Sequence, residues 1–291
     1  MRIFELQVKP LIYAALNEDI KGGDITTDAV TLGCDPVMRC EVTAKKETVV
    51  CGLRIFSEVF DIITKNNYKI DFLCGEGDRA VKSQEIITLE AKASAILYGE
   101  RTALNFLQHL SGIATISNIA SKKLEGLKTK ILDTRKTIPG LRLLQKYAVK
   151  TGGGENHRFD LSSGILIKDN HIKLAGGIKN AMGAVRKHYS GLNFKIEIET
   201  ATLEEVESAL EAKADVIMLD NMDIKTMKEA VKIIDGKAVT EASGNITVDN
   251  LRIIAQETGI DYISMGSLTN SVIPADFSLN FVKENQKKNS I

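Results

Sequence analysis

Between Asp133 and Lys173 the chain carries eight cations, Arg135, Lys136, Arg142, Lys146, Lys150, Arg158, Lys168 and Lys173. Only four acids, Asp133, Glu155, Asp160 and Asp169, lie among them. The whole protein has 38 basic and 38 acidic residues, so this excess of four positive charges is local. A neutral chain lacks the general basic surface of a nucleic-acid binder. Glycines at Gly152, Gly153 and Gly154 permit close backbone approach, and arginine offers a planar fork that matches carboxylate or phosphate oxygens. The implied ligand is small and polyanionic. Arg135, Lys136, Arg158 and Lys168 are its expected contacts, whereas Lys146, Lys150 and Lys173 read as solvated surface charge. His109 and His188 read as structural or exposed, and His171 as either a ligand or a residue that holds a loop.

These side chains need elements to position them. Short β-branched runs recur at Ile131–Asp133, Ile165–Lys168, Lys195–Glu199, Val216–Leu219, Ala238–Glu241 and Tyr262–Met265. Helical faces separate the later ones: Leu203, Val206 and Leu210 behind a Thr202/Glu205 capping box, then Met227, Ala230, Val231 and Ile234, then Leu251, Ile254 and Ala255 closed by Gly259. Repeated strand–helix units predict a parallel sheet. Polar residues close almost every run: Asp133 to Lys136, Lys168 to His171, Glu197 with Glu199, Asp220-Asn221, Glu241 with Ser243-Gly244, and Gly266. Reactive groups at many strand C-termini build the central site of a (β/α) barrel, whereas an open sheet concentrates them at one switch point. About six strands predict an α/β fold with an irregular, incomplete barrel. Glu197 and Glu199 alternate with isoleucines and share a face, where one of them needs a structural partner.

Residues 1–105 read as an N-terminal α+β module with an antiparallel sheet, the sandwich domain that the resemblance described below implies, joined by part of 268–291, and residues 106–267 as the catalytic barrel. Cys40, Val42 and Ala44 alternate with polar neighbours as a half-buried strand, and Leu53, Phe56, Phe60 and Ile63 have helical spacing. A buried helix from about Ala95 to Ile119 links the two parts, with a break expected at Gly112. Thr102 to Ser121 has no formal charge, but nine of its twenty residues are polar, which excludes a membrane span. Four cysteines without CxxC spacing, behind a polar N-terminus, suggest reduced thiols in the cytoplasm. The Asp19–Asp24 region reads as a turn, and KENQKKNSI at 283–291 as a frayed tail.

Several segments, in colinear order over nearly the whole chain, resemble the quinolinate phosphoribosyltransferase family. They are Glu18-Asp19-Ile20 with Gly23-Asp24-Ile25-Thr26-Thr27, Glu100-Arg101-Thr102-Ala103-Leu104-Asn105, Ser111-Gly112-Ile113-Ala114-Thr115, Asp133-Thr134-Arg135-Lys136-Thr137 with Pro139-Gly140-Leu141-Arg142, Lys146-Tyr147-Ala148-Val149, Gly152-Gly153-Gly154 with Asn156-His157-Arg158, Ile167-Lys168-Asp169-Asn170-His171, Met218-Leu219-Asp220-Asn221 and Glu241-Ala242-Ser243-Gly244. The resemblance implies an enzyme of de novo NAD biosynthesis, a pentosyltransferase. It would convert quinolinate and phosphoribosyl pyrophosphate, with Mg²⁺, into nicotinate mononucleotide, pyrophosphate and CO₂. It implies that Arg135, His157, Arg158 and Lys168 line the quinolinate pocket, with Thr134 among the substrate-binding residues. Arg101 would be donated across a homodimer interface. Lys136 and Lys168 would serve the phosphate side and catalysis, and Glu199 and Asp220 would hold ribose hydroxyls and metal, directly or through water. Ser243, Gly244, Asn245 and Gly266 would cradle the 5′-phosphate. Asn270 stands where the family commonly has histidine, and receives no role.

Three other readings fit parts of the pattern. A related molybdenum-transport-associated protein shares the fold but not the combined Arg101, Arg135, His157, Arg158 and Lys168 set. A Schiff-base aldolase would use Lys136 or Lys168. A non-catalytic anion-binding barrel would hold ligand without turnover. No nucleic-acid or membrane partner is expected.

Overall fold

A computed structural model describes residues 4–191 and 194–282; the tail expected at 283–291 lies outside them. The strands among the described residues are Val37–Ala44 (β1), Thr48–Val49 (β2), Lys69–Phe72 (β3), Arg79–Ala80 (β4), Glu85–Lys92 (β5), Lys130–Leu132 (β6), Ile165–Ile167 (β7), Ile196–Thr200 (β8), Val216–Asp220 (β9), Val239–Ser243 (β10), Tyr262–Ser264 (β11) and Phe277–Phe281 (β12). The α-helices are Lys9–Ile20 (α1), Ile25–Thr31 (α2), Leu53–Thr64 (α3), Ala93–Lys123 (α4), Arg142–Thr151 (α5), Asp169–Ala175 (α6), Ile178–His188 (α7), Leu203–Glu211 (α8), Ile224–Ile234 (α9), Leu251–Thr258 (α10) and Ser267–Asn270 (α11).

The chain divides into two compact units. The first comprises Met1–Thr115, Leu143–Gly152 and Val272–Ile291. Its antiparallel sheet has the order β12-β1-β5-β3, and Cys40, Val42 and Ala44 of β1 point into the core. On α3, Leu53, Phe56, Val59 and Phe60 are buried, while Glu76 accepts hydrogen bonds from the Gly52 and Leu53 amides and so caps the helix. Asp24, in the stretch read as a turn, caps α2 through the Thr26 and Thr27 amides.

The boundary expected at 105 falls inside α4, a single helix. Nor does α4 break at Gly112. A Cβ there would lie 2.4 Å from the Ile273 carbonyl oxygen and 3.1 Å from Pro274, so the glycine lets the C-terminal segment lie against the helix. Gly112→Ala is expected to lower stability by about 1–3 kcal/mol through overpacking, read as a drop in the thermal unfolding midpoint. A second correction concerns Lys146, expected in solvent and found 2% exposed. It lies on α5, which belongs to the first unit and buries Leu144, Gln145, Ala148 and Val149 as well. Lys150 and Lys173 are exposed. The four cysteines are free thiols, Cys40 and Cys51 buried, and no helix of the described residues is long and apolar enough to cross a membrane.

The second unit comprises Ile116–Arg142 and Gly153–Ser271. Six parallel strands run in the order β6-β11-β10-β9-β8-β7, the incomplete barrel expected. Among the described residues no ladder joins β6 to β7; instead Glu155 bridges to Leu132 on the outer edge of β6. The gap arises because α5, which follows β6 in sequence, packs in the first unit and does not lead directly into the next barrel strand. Around the sheet, Val206 and Ala209 of α8, Met227, Ala230 and Ile234 of α9, and Leu251, Ile254 and Ala255 of α10 are buried. The expected capping box is half formed: Thr202 accepts from the Glu205 amide, but the Glu205 carboxylate reaches past the cap to the Ala201 amide instead of returning to Thr202.

Candidate active site

A cavity of about 720 Å³ opens where the barrel strands end, within the range of small-molecule sites. Twelve of the thirteen expected site residues line it: Thr134, Arg135, Lys136, His157, Arg158, Lys168, Glu199, Asp220, Ser243, Gly244, Asn245 and Gly266. The thirteenth, Arg101, is an exposed residue of α4 in the other unit and does not line this cavity. Asn270 lines it too.

Each group is held by local chemistry. After β6, buried Asp133 accepts the His157 amide at 2.9 Å, tying the Glu155–Arg158 loop to the strand end. Thr134 Oγ1 accepts the Lys136 amide at 3.0 Å, which shapes the turn presenting Arg135 and Lys136. Arg135 Nε is buried and has no hydrogen-bond partner among the described residues, a vacancy suited to an anionic ligand. Arg158 donates to the Gly164 carbonyl at 3.0 Å. Burial and the neighbouring Arg135 guanidinium lower the pKa of Arg158, so a bound dianion would relieve a strained pair of like charges. Lys168 Nζ lies 2.6 Å from Glu199 Oε2, while the Lys168 amide donates to His171 Nδ1 at 3.0 Å. His171 therefore holds the start of α6. His109 is structural, paired with Gln145 at 2.9 Å, and His188 is exposed.

At the later strand ends the backbone takes unusual conformations. Asn221 has φ 56°, and its side chain bridges Asp220 at 2.7 Å and Asn245 at 3.0 Å. Gly244 has φ +87°, and a Cβ there would fall 2.1 Å from Asn221 Oδ1, so only glycine fits. At Gly266 a Cβ would lie 2.9 Å from Lys136 Cδ, so the missing side chain leaves the lysine stem its path.

A second cluster joins His157 to two acids, Glu197 and Glu241, that the sequence reading did not select as site residues. His157 Nδ1 accepts the Arg158 amide at 2.7 Å, which places the imidazole proton on Nε2. Nε2 faces Glu197 Oε2 at 3.0 Å and Glu241 Oε2 at 3.7 Å. His157 thus has both ring nitrogens engaged by protein groups, and both acids on that face of β8 are partnered, Glu197 by His157 and Glu199 by Lys168. Burial, then the nearby Glu197 charge, pushes the Glu241 carboxyl up to about 7. The signal available in the sequence was the Glu241 carboxylate on a strand flanked by small residues, where an acid must lie inside the barrel.

Comparison with known proteins shows the family. Residues 113–280 match the model for the quinolinate phosphoribosyl transferase C-terminal domain, and residues 24–111 that for the N-terminal domain. The chain belongs to the quinolinate phosphoribosyl transferase family. It is 41% identical over 283 residues to a probable nicotinate-nucleotide pyrophosphorylase [carboxylating] of Bacillus subtilis, covering 97% of this chain and 96% of that one. A quinolinate phosphoribosyltransferase [decarboxylating] of Nicotiana tabacum is 38% identical over 290 residues, covering 94% and 81%. The crystal structure of nicotinate-nucleotide pyrophosphorylase from Ehrlichia chaffeensis superposes with a TM-score of 0.90 at 41% identity, covering 94% and 98%. The two units, an α/β barrel and an antiparallel sheet domain, are those of the family.

Proposed function

We propose that this protein transfers the phosphoribosyl group of phosphoribosyl pyrophosphate to quinolinate, with loss of CO₂, to form nicotinate mononucleotide for NAD synthesis. The observation that carries the reading is the convergence of Arg135, Lys136, Arg158 and Lys168 on one cavity that Glu199 and Asp220 also line. Quinolinate bears two carboxylates, and each charge-assisted hydrogen bond to a fixed cation contributes about 1.5–3 kcal/mol. Arg135 and Arg158 take these carboxylates, with Lys168 beside them. Lys136 and the Ser243-Gly244-Asn245 and Gly266 backbone turns take the phosphates. As the bond to pyrophosphate breaks, positive charge grows on the sugar, and Glu199 and Asp220 stabilise it.

The donor set suits Mg²⁺. Glu199 and Asp220 are oxygen ligands on adjacent strands β8 and β9, and their hydrogen bonds engage Glu199 Oε2 and Asp220 Oδ2. Glu199 and Asp220 would hold the ion, which would supply positive charge to neutralise the departing pyrophosphate. The protein acts in the cytoplasm as a homodimer in which Arg101 of one subunit completes the other's quinolinate pocket. The barrel unit carries the chemistry.

The other readings are less well supported. Lys168 is paired as an ammonium with Glu199, which disfavours an imine-forming amine. The molybdenum-transport reading is not favoured, since the curated relatives described above carry pyrophosphorylase or phosphoribosyltransferase names.

Pyrophosphate release with quinolinate against nicotinate tests the proposal. Nicotinate lacks one carboxylate and leaves a cation of the pocket without its partner, so kcat/KM should fall by about 100-fold or more. Equal rates, or release with neither acid, would overturn it.

A further inference from the structure

The reaction proposed above requires one proton that neither substrate supplies. When the carboxylate beside the ring nitrogen leaves as CO₂, the carbon–carbon bond breaks and its electron pair stays on the ring carbon. That pair must then take a proton. We propose that Glu241 is the catalytic acid that delivers it; the inference rests on the reading of this site as a quinolinate pocket.

The geometry selects Glu241 from the three groups. His157 is a poor donor, because Nδ1 accepts a backbone N–H and its single proton on Nε2 is directed to the two carboxylates. Glu197 does not line the cavity, whereas Glu241 does. The Glu241 side chain is 3% exposed, yet its Oε1 has no hydrogen-bond partner among the described residues. An orphaned carboxyl oxygen at the wall of a ligand cavity is a group awaiting a partner from the ligand.

Charge explains why the acid keeps its proton. The groups facing Glu241 are Glu197 from β8, His157 from the loop before β7, Lys168 after β7 and the Ser264 hydroxyl from β11, while β9 presents Met218. Burial, and after it the Glu197 charge, favours the neutral acid; the Ser264 hydroxyl and the Lys168 charge oppose them and lose, leaving the group poised near pH 7. A proton suits this position better than a metal ion, since Arg135, Arg158 and Lys168 already crowd the same cavity with positive charge. After each turnover Glu241 is left ionised, and solvent water restores its proton.

The experiment starts with the wild-type enzyme, quinolinate, phosphoribosyl pyrophosphate and Mg²⁺. Absence of pyrophosphate release there would sink the reading of the site itself. Given release, kcat for nicotinate mononucleotide should decline as pH rises through about 7, because the donor works only while protonated. A wild-type kcat that is flat or rising from about pH 6 to about pH 8 would overturn the role of Glu241 without any variant. Glu241→Gln should lower kcat for nicotinate mononucleotide about 100-fold with KM for quinolinate unchanged, and should abolish the high-pH decline. In a single turnover it should release more pyrophosphate than it forms nicotinate mononucleotide. Glu241→Asp should recover part of the rate and the pH dependence. Loss of both products in equal measure, or a wild-type rate in Glu241→Gln, would overturn the proposal, as would a divalent cation found seated on His157, Glu197 and Glu241.

Discussion

Arg135→Ala should leave the fold intact and reduce kcat/KM for quinolinate by about 10²–10⁴, the scale for deleting a charged donor from a preorganised site. Arg135 follows β6 and belongs to no helix or strand, so its loss disturbs no ladder. Its buried Nε has no partner among the described residues, so truncation breaks no hydrogen bond at that atom and relieves the repulsion felt by Arg158. Stability should therefore hold or rise while activity collapses, a combination that separates binding from structure. Thermal unfolding together with steady-state pyrophosphate release measures both. A variant with near-normal kcat/KM would remove Arg135 from the site.

Subunit mixing should give the second large effect. Arg101 is exposed on α4, and no ion pair holds it among the described residues, as expected of a side chain kept free for a neighbour's ligand. Arg101→Ala and Lys136→Ala proteins should each be nearly inactive. If Arg101 serves the partner's pocket, a hybrid dimer has one site with both defects and one with neither. Random exchange between equal amounts makes half the dimers hybrid, so activity should recover to about a quarter of wild type. Verified exchange without recovery would place Arg101 outside the site.

Much of the barrel was legible because its signals are local. Each strand was marked by a short β-branched run and ended in polar residues, and Thr202 with Glu205 announced α8 within four positions. The site residues were legible for the same reason, since strand C-termini converge on one mouth whatever the helices between them do. What escaped depends on contacts distant in sequence. Gly112 resembles a helix breaker until the segment around Ile273 is seen against it. Lys146 resembles a surface lysine until α5 is found packed within the first unit. Glu241 was visible as a strand-end acid, but its pairing across the barrel with Glu197 and His157 depends on three segments meeting in space.

The missing ladder between β6 and β7 has a mechanical consequence. A fully closed ring of strands can dilate only by breaking backbone pairing. Here the wall bearing Arg135 and Lys136 and the wall bearing Lys168 flank the unjoined seam, so the mouth can widen or tighten there at no cost in interstrand bonding. The groups proposed to take the two carboxylates thus stand on either side of a natural expansion joint, which would let a bulky, doubly charged ring enter.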